Sequence, residues 1–172
     1  MKEIETKILE INPEKIRQKL LEFGAKKVFS GEMKIIKLDF PEFTLKKRGE
    51  LLRIRQVGDN CELCFKGKKE KALFKVQEEV QIISNDFATT QKIFEKLGFN
   101  IVYEGKKHRE TYKLKRISFE IDSLDNVPPF LEIEAPTEKE VLYYIEKLGY
   151  TLEQTTNKTS AEVEELYKKK HE

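Results

Sequence analysis

The chain has 172 residues, with 33 lysine and arginine side chains against 31 aspartate and glutamate side chains, so its formal net charge is +2. This near balance argues against a strongly basic nucleic-acid binder and against an acidic tail. Charged residues make up 37% of the chain, compared with about 25% in an average domain. The excess predicts either a heavily ion-paired surface or a charged interior.

The length and the apolar content are typical of one folded domain, because 38% of the residues are hydrophobic and 11 are phenylalanine. No segment approaches the roughly 20 apolar residues that span a bilayer, and the first residues, MKEIETKILEI, are too charged for a signal peptide. We therefore expect a cytoplasmic protein that binds neither a membrane nor a nucleic acid polymer. The sequence leaves its oligomeric state open, a homodimer included.

Helix ends are marked by capping residues along the chain. Asn12, Pro13 and Gly24 bound the first predicted helix. Three more helices are predicted, from about 86 to 97, from 137 to just before 149, and from 159 onward. Between them the sequence predicts eight strands, near 2–11, 27–38, 50–57, 61–67, 73–83, 101–114, 116–123 and 130–135.

An internal repeat relates two parts of the chain at an offset of 74 residues. The shift carries Gly24 onto Gly98, Val28 onto Val102 and Gly31 onto Gly105. We predict a single domain over residues 1–172, with pseudo-repeat halves at about 1–72 and 73–172. Each half is expected to have the order βαβββ, and helices are expected to flank the strands.

Cysteine and histidine offer little for catalysis or metal binding. Cys61 and Cys64 form a C-x-x-C pair, but residues three apart on a strand point to opposite faces. No second Cys or His pair completes a zinc site, since His108 and His171 are the only histidines. We interpret the cysteine pair as incidental.

Charged side chains share one face of nearly every predicted strand, because strand residues alternate between faces. An ordinary sheet with one solvated face produces a similar alternation. However, this face carries Glu, Lys and Arg rather than Ser, Thr or Asn, which favours a closed, eight-stranded antiparallel β-barrel in an α+β fold. The acids are Glu3, Glu5, Glu79, Glu120, Asp122, Glu132 and Glu134, and the bases are Lys7, Arg53, Arg55, Lys66, Lys75, Lys107 and Arg109.

Buried charges cost roughly several kcal/mol each unless they are paired or hold a ligand. Converging arginines and lysines suit a polyphosphate. Carboxylates fit beside that ligand if Mg²⁺ or Mn²⁺ bridges them to the phosphate oxygens, because these cations take oxygen ligands.

Six ordered motifs carry a family resemblance. They are Glu3-Ile4-Glu5-Thr6-Lys7, Leu52-Arg53-Ile54-Arg55, Phe65-Lys66-Gly67, Lys107-His108-Arg109, Asp122 and Glu132-Ile133-Glu134. In this order they resemble the CYTH superfamily, also called triphosphate tunnel metalloenzymes, which is named for class IV adenylyl cyclase and thiamine triphosphatase. The resemblance implies an eight-stranded antiparallel tunnel with charged walls.

The resemblance also implies roles for individual residues. Glu5, Glu134 and Lys7 would be catalytic. The metal-binding acids would be Glu3, Glu5, Asp122, Glu132 and Glu134, and the triphosphate-binding bases would be Lys7, Arg53, Arg55, Lys66, Lys75, Lys107 and Arg109. The expected cofactor is Mg²⁺ or Mn²⁺, and the expected partner is a small molecule that contains a triphosphate.

One strand departs from the family pattern. Many relatives have R-x-E-x-E where this chain has Lys75-Val76-Gln77-Glu78-Glu79, which leaves the number of cations and the substrate open. We favour metal-dependent hydrolysis of an inorganic or organic triphosphate inside the tunnel. The first alternative is a class IV adenylyl cyclase that makes cyclic AMP and pyrophosphate from ATP. The second is a non-catalytic polyphosphate or nucleotide sensor.

Overall fold

The structure is a computed structural model that describes the backbone of residues 2–70 and 72–169 and the side chains of residues 4–70 and 72–169. Strands dominate this part of the chain, and the longest α-helices have ten residues. In chain order the elements are β1 Lys2–Ile8, α1 Pro13–Glu22, β2 Lys26–Asp39, α2 Thr44–Arg48, β3 Leu51–Val57, β4 Asn60–Lys66, β5 Lys75–Ser84, α3 Phe87–Lys96, β6 Asn100–Leu114, β7 Ile117–Leu124, β8 Val127–Ala135, α4 Glu138–Lys147, a 3₁₀ turn Leu152–Gln154, β9 Thr155–Thr156 and α5 Ser160–Lys168.

The strands form one sheet with the order β5-β4-β3-β2-β6-β7-β8-β1-β9. Because β5 also pairs with β1, the order returns to its beginning and strands β1 to β8 close into an antiparallel barrel. The short β9 is an addition that pairs with Lys7 and Ile8 of β1. The predicted α+β fold with an eight-stranded barrel is therefore confirmed.

The predicted helix caps are also confirmed. The Asn12 side chain accepts a hydrogen bond from the Lys15 backbone N–H at 3.0 Å, which satisfies one of the free donors at the start of α1. Asp86 does the same for α3 at 2.8 Å. The two helices also reproduce the offset of 74 residues, since α1 covers 13–22 and α3 covers 87–96.

Two local features differ from the sequence-based expectation. Strand β1 ends at Ile8 instead of continuing to residue 11, because Glu10 adopts a left-handed backbone with φ of 54°. Helix α2 was not predicted. Its backbone N–H groups at Leu45 and Lys46 donate to the buried Asp39 carboxylate, at 2.9 Å each. This cap comes from an acid six positions before Leu45 and not from the residue next to the helix start, where a capping signal is normally sought.

Contacts divide the described chain into two compact units. Unit 1 contains residues 31–70 and 77–107, and unit 2 contains residues 3–30, 72–76 and 108–169. The unit 2 core includes Leu20 of α1 and Ile145 of α4. The unit 1 core includes Ile54 of β3 and Cys61 of β4. The predicted pseudo-repeat halves stay a prediction.

None of the helices in the described ranges is both long enough and apolar enough to cross a membrane.

Candidate active site on the charged face of unit 2

Strand register places the charged residues of unit 2 in rows across β6, β7, β8 and β1. Residues directly opposite each other on antiparallel strands share a face, so each row forms a line of neighbouring side chains. The first row is Lys113, Ser118, Glu134 and Glu5, the second is Thr111, Glu120, Glu132 and Lys7, and the third is Arg109 and Asp122.

Lys7 lies among the acids with only 2% of its surface exposed. Its Nζ is 2.5 Å from Glu132 Oε2 and donates a hydrogen bond to Glu5 Oε1 at 3.1 Å. Burial by itself would lower the pKa of Lys7, but the Glu132 and Glu5 carboxylates outweigh burial and raise the pKa above its ordinary value. Lys7 is therefore a permanent cation on this face.

Lys75, from near the middle of the chain, contacts the N-terminal motif. Its Nζ donates to Glu5 Oε1 at 2.7 Å, although the two residues are 70 positions apart in the chain. Glu5 thus accepts from two buried ammonium groups, those of Lys7 and Lys75. The structure brings Lys75 to the predicted site in spite of its imperfect motif.

Arg109 forms a bidentate hydrogen-bonded ion pair with Asp122. Its Nε donates to Asp122 Oδ1 and its Nη2 to Oδ2, both at 2.6 Å, and Asp122 is fully buried. The guanidinium also forms an ion pair with Glu120. Although burial lowers the pKa of Arg109, Asp122 and Glu120 raise it well above its usual range.

Glu134 differs from the other acids of this face. It makes no hydrogen bond or ion pair with any residue that the structure describes. Burial, together with repulsion from Glu120 and Glu132, raises its pKa to about 7. Among the described acids of this face, Glu134 is therefore one whose ionised form an added positive charge would stabilise.

Metal-binding geometry is not preformed in the described side chains, where no three His, Cys, Asp or Glu groups already surround a metal position. Glu5 and Glu132 contact Lys7, and Glu120 and Asp122 contact Arg109. These acids would have to share their oxygens between the cationic side chains and a metal ion. The Glu3 side chain lies outside the described residues, so its predicted metal role stays a prediction.

Unit 1 contains the remaining predicted bases, also beside acids. Arg55 pairs with Glu62, and Lys66 pairs with Glu79. Arg53 lies opposite Cys64 on β4, and Lys107 is buried. The structure thus places Arg53, Arg55 and Lys66 on the charged face of β3 and β4, as the alternation predicts.

The two cysteines lie in different surroundings. Cys61 packs in the unit 1 core, whereas Cys64 lies opposite Arg53 and next to Glu79. Both are free thiols. The expectation that they point to opposite faces of β4 is confirmed.

The sequence analysis missed three residues of the unit 2 rows as candidates, namely Thr111, Lys113 and Ser118. Thr111 and Lys113 share the parity of Arg109 on β6, and Ser118 shares that of Asp122 on β7. Parity was the signal that could have found them.

The comparison with known protein families agrees with this geometry. The sequence profile of the CYTH domain matches residues 1–163, which is most of the chain. This chain belongs to the CYTH domain family.

Two archaeal proteins are similar to this CYTH domain protein. A Methanocaldococcus jannaschii protein, provisionally named an adenylate cyclase, is 31% identical over 134 residues, which are 78% of this chain and 77% of that protein. A solved structure from Pyrococcus horikoshii OT3 is 25% identical, with a TM-score of 0.77 over 94% of this chain and 98% of that chain.

A more distant structure shares the fold of the CYTH domain protein. It is a Hippeastrum protein, provisionally an adenylyl cyclase, that is described as having a dominant triphosphatase activity. It is 12% identical, with a TM-score of 0.60 over 86% of this chain and 87% of that chain.

Proposed function

We propose that this CYTH domain protein is a divalent-cation-dependent phosphohydrolase that acts on a triphosphate. One observation carries the proposal. The charged face of unit 2 buries Lys7, Lys75 and Arg109 next to Glu5 and Asp122, so cations and carboxylates are concentrated where water is largely excluded. Phosphate oxygens need the cations, and a bridging metal ion needs the carboxylates.

The donor set fits a hard divalent cation. Its atoms are all carboxylate oxygens, which are the ligands that Mg²⁺ and Mn²⁺ prefer. We assign Glu134 as the central ligand because its carboxylate has no partner among the described residues. Glu3, Glu5, Asp122 and Glu132 complete the proposed set. When bound, the cation would neutralise phosphate charge and make a water molecule more nucleophilic.

The bases have a separate role in this proposal. Lys7, Lys75 and Arg109 bind phosphate oxygens, and Lys7 remains charged because Glu132 and Glu5 raise its pKa. In hydrolysis, a water oxygen attacks the terminal phosphorus. The bond between that phosphorus and the bridging oxygen breaks, and orthophosphate separates from the remaining diphosphate. Glu5, Glu134 and Lys7 are the proposed catalytic residues. Arg53, Arg55, Lys66 and Lys107 stay predicted phosphate-binding residues.

A second candidate, adenylyl cyclase, is favoured by the name of the Methanocaldococcus jannaschii relative. In that reaction the ribose 3′-hydroxyl of ATP attacks the α-phosphorus and pyrophosphate leaves. The charged face of unit 2 could serve either reaction, because both need a divalent cation and basic side chains that hold the phosphates.

One assay separates the candidates. Purified protein is incubated with Mg²⁺ or Mn²⁺ and with inorganic triphosphate, thiamine triphosphate or ATP, and orthophosphate, pyrophosphate and cyclic AMP are then resolved. We expect orthophosphate from at least one triphosphate, and its loss when EDTA removes the cation. Cyclic AMP with pyrophosphate would replace the hydrolase by the cyclase, and binding without turnover would replace both by the sensor.

A further inference from the structure

Ser118 is a buried hydroxyl with no hydrogen-bond partner in the described part of the chain. The residue exposes 1% of its surface, and its Oγ makes no hydrogen bond. A buried polar group without a partner is rare and destabilises the folded state. Such a group therefore needs an explanation in a folded protein.

The register places Ser118 between two charged neighbours. Glu134 lies directly opposite it on β8, and Lys113 lies directly opposite it on β6. Directly opposed residues have Cβ atoms roughly 5 Å apart on the same face. A hydroxyl donor and a carboxylate acceptor are therefore neighbours, yet each lacks a partner among the described residues.

These two unsatisfied groups point to a ligand shared between them. If Ser118 only supported the fold, its hydroxyl would be expected to bond to Glu134 or to a backbone carbonyl, as buried hydroxyls generally do. Thr6 is such a case, since its equally buried hydroxyl donates to the Thr156 carbonyl at 3.3 Å on the other face of β1. The Ser118 hydroxyl instead lies on the charged face beside Glu134.

We propose that Ser118 is a positioning residue of the cation site, where its hydroxyl hydrogen-bonds to a water molecule held by the cation that Glu134 binds. The inference rests on the proposed function. Mg²⁺ keeps several waters when it binds to proteins, so a hydroxyl next to a carboxylate ligand has such a partner. Groups that orient metal-bound waters typically change affinity or activity about 10–100-fold when they are removed.

The test compares Ser118→Ala with Thr6→Val, which removes a satisfied hydroxyl of similar burial. The Tm of the EDTA-treated protein and Mn²⁺ binding by calorimetry are measured for both. We expect Ser118→Ala to raise the Tm of the cation-free protein by about 2–4 °C, because it removes an unsatisfied group, and to weaken Mn²⁺ binding about 10-fold. Thr6→Val should lower the Tm and leave Mn²⁺ affinity unchanged.

Kinetics give a second readout. With Mn²⁺ at saturation, Ser118→Ala should lower kcat about 10-fold with little change in the KM for triphosphate, and Ser118→Thr, which keeps the hydroxyl, should restore most of it. Unchanged Mn²⁺ affinity and kcat in Ser118→Ala would overturn the inference. If wild type itself binds no Mn²⁺, the proposed function fails first, so the two failures are distinguishable.

Discussion

Glu5 and Glu134 lie directly opposite each other on β1 and β8, but their electrostatic surroundings differ. Glu5 accepts hydrogen bonds from the ammonium groups of Lys7 and Lys75. Glu134 is half-buried, and repulsion from Glu120 and Glu132 adds to burial in raising its pKa. Each of these acids belongs to an E-x-E motif in the sequence. Because their surroundings differ, they should nevertheless respond differently to substitution by glutamine.

Glu134→Gln should stabilise the cation-free protein at pH 8. The folded-state pKa of Glu134 is raised to about 7 from 4.5, so ionisation of this group disfavours folding. The penalty is absent below pH 4.5, grows between pH 4.5 and 7, and is complete above pH 7 at about 3 kcal/mol. Urea unfolding at pH 4 and pH 8 in EDTA measures it. Glu134→Asp keeps the charge and should give no gain, and equal stability of Glu134→Gln and wild type at pH 8 would contradict the account.

Glu5→Gln should destabilise the protein, by about 3 kcal/mol, because Lys7 and Lys75 lose their shared counter-charge while they remain buried. Both glutamine variants should lower triphosphate turnover about 100-fold or more, since each removes a proposed cation ligand. Turnover is measured at a temperature well below each Tm. Full activity in both variants would remove the metal assignment.

Glu110 should make stability depend on pH through a cluster on the opposite face of β6. It accepts hydrogen bonds from Arg17 at 2.7 Å and Tyr112 at 2.9 Å, and it pairs with Lys27 at 2.7 Å. Burial by itself would raise the pKa of Glu110, but the hydrogen bonds from Arg17, Lys27 and Tyr112 lower it to about 2. This stabilisation is present above pH 4.5 and is lost as the pH falls toward 2.

Glu110→Gln should therefore lower the free energy of unfolding by about 2 kcal/mol at pH 7, after allowance for the solvent exposure of Arg17 and Lys27. The difference from wild type should shrink steadily below pH 4.5. Urea unfolding at pH 7, 4 and 2.5 follows it, with the exposed Glu14→Gln on α1 as the matched control. A difference that does not vary with pH would indicate lost packing rather than lost charge.

Arg109→Lys should destabilise the protein by about 3 kcal/mol, although it conserves the charge. A lysine ammonium cannot donate to both Asp122 oxygens, so part of a fully buried carboxylate would lose its partner. Thermal unfolding compares this variant with Arg116→Lys at the exposed turn between β6 and β7. The exposed substitution should have little effect. Equal Tm values for the two variants would contradict the bidentate contact between Arg109 and Asp122.

The two thiols should resist modification in the folded protein. Cys61 and Cys64 are both buried, and burial raises the pKa of Cys64 to about 11. We expect almost no reaction with a thiol-specific disulfide reagent within minutes, and reaction of both thiols in guanidinium chloride. Ser30→Cys, at an exposed position of β2, should react at once and validates the reagent. Rapid modification of native Cys64 would show that its side of β4 is open to solvent.

Local signals in the sequence predicted the elements and the face on which each side chain lies. Capping residues such as Asn12 and Asp86 mark helix starts, because they satisfy donors within the same turn. Alternation in steps of two assigned Glu132 and Glu134 to one face without reference to any other strand. Helix α2 was not predicted because its cap, Asp39, lies outside the local pattern of a helix start.

The sequence by itself therefore determined which residue types share the charged face. Only the tertiary structure decided which acid meets which base, because these contacts depend on strand neighbours and register, and they join residues such as Glu5 and Lys75 that are distant in the chain. That is why Asp122 forms a bidentate contact with Arg109, whereas Glu134 lies opposite Ser118 and neither of these two side chains hydrogen-bonds to a described residue. Alternation cannot distinguish a carboxylate that is neutralised by its neighbours from one that still lacks a positive partner.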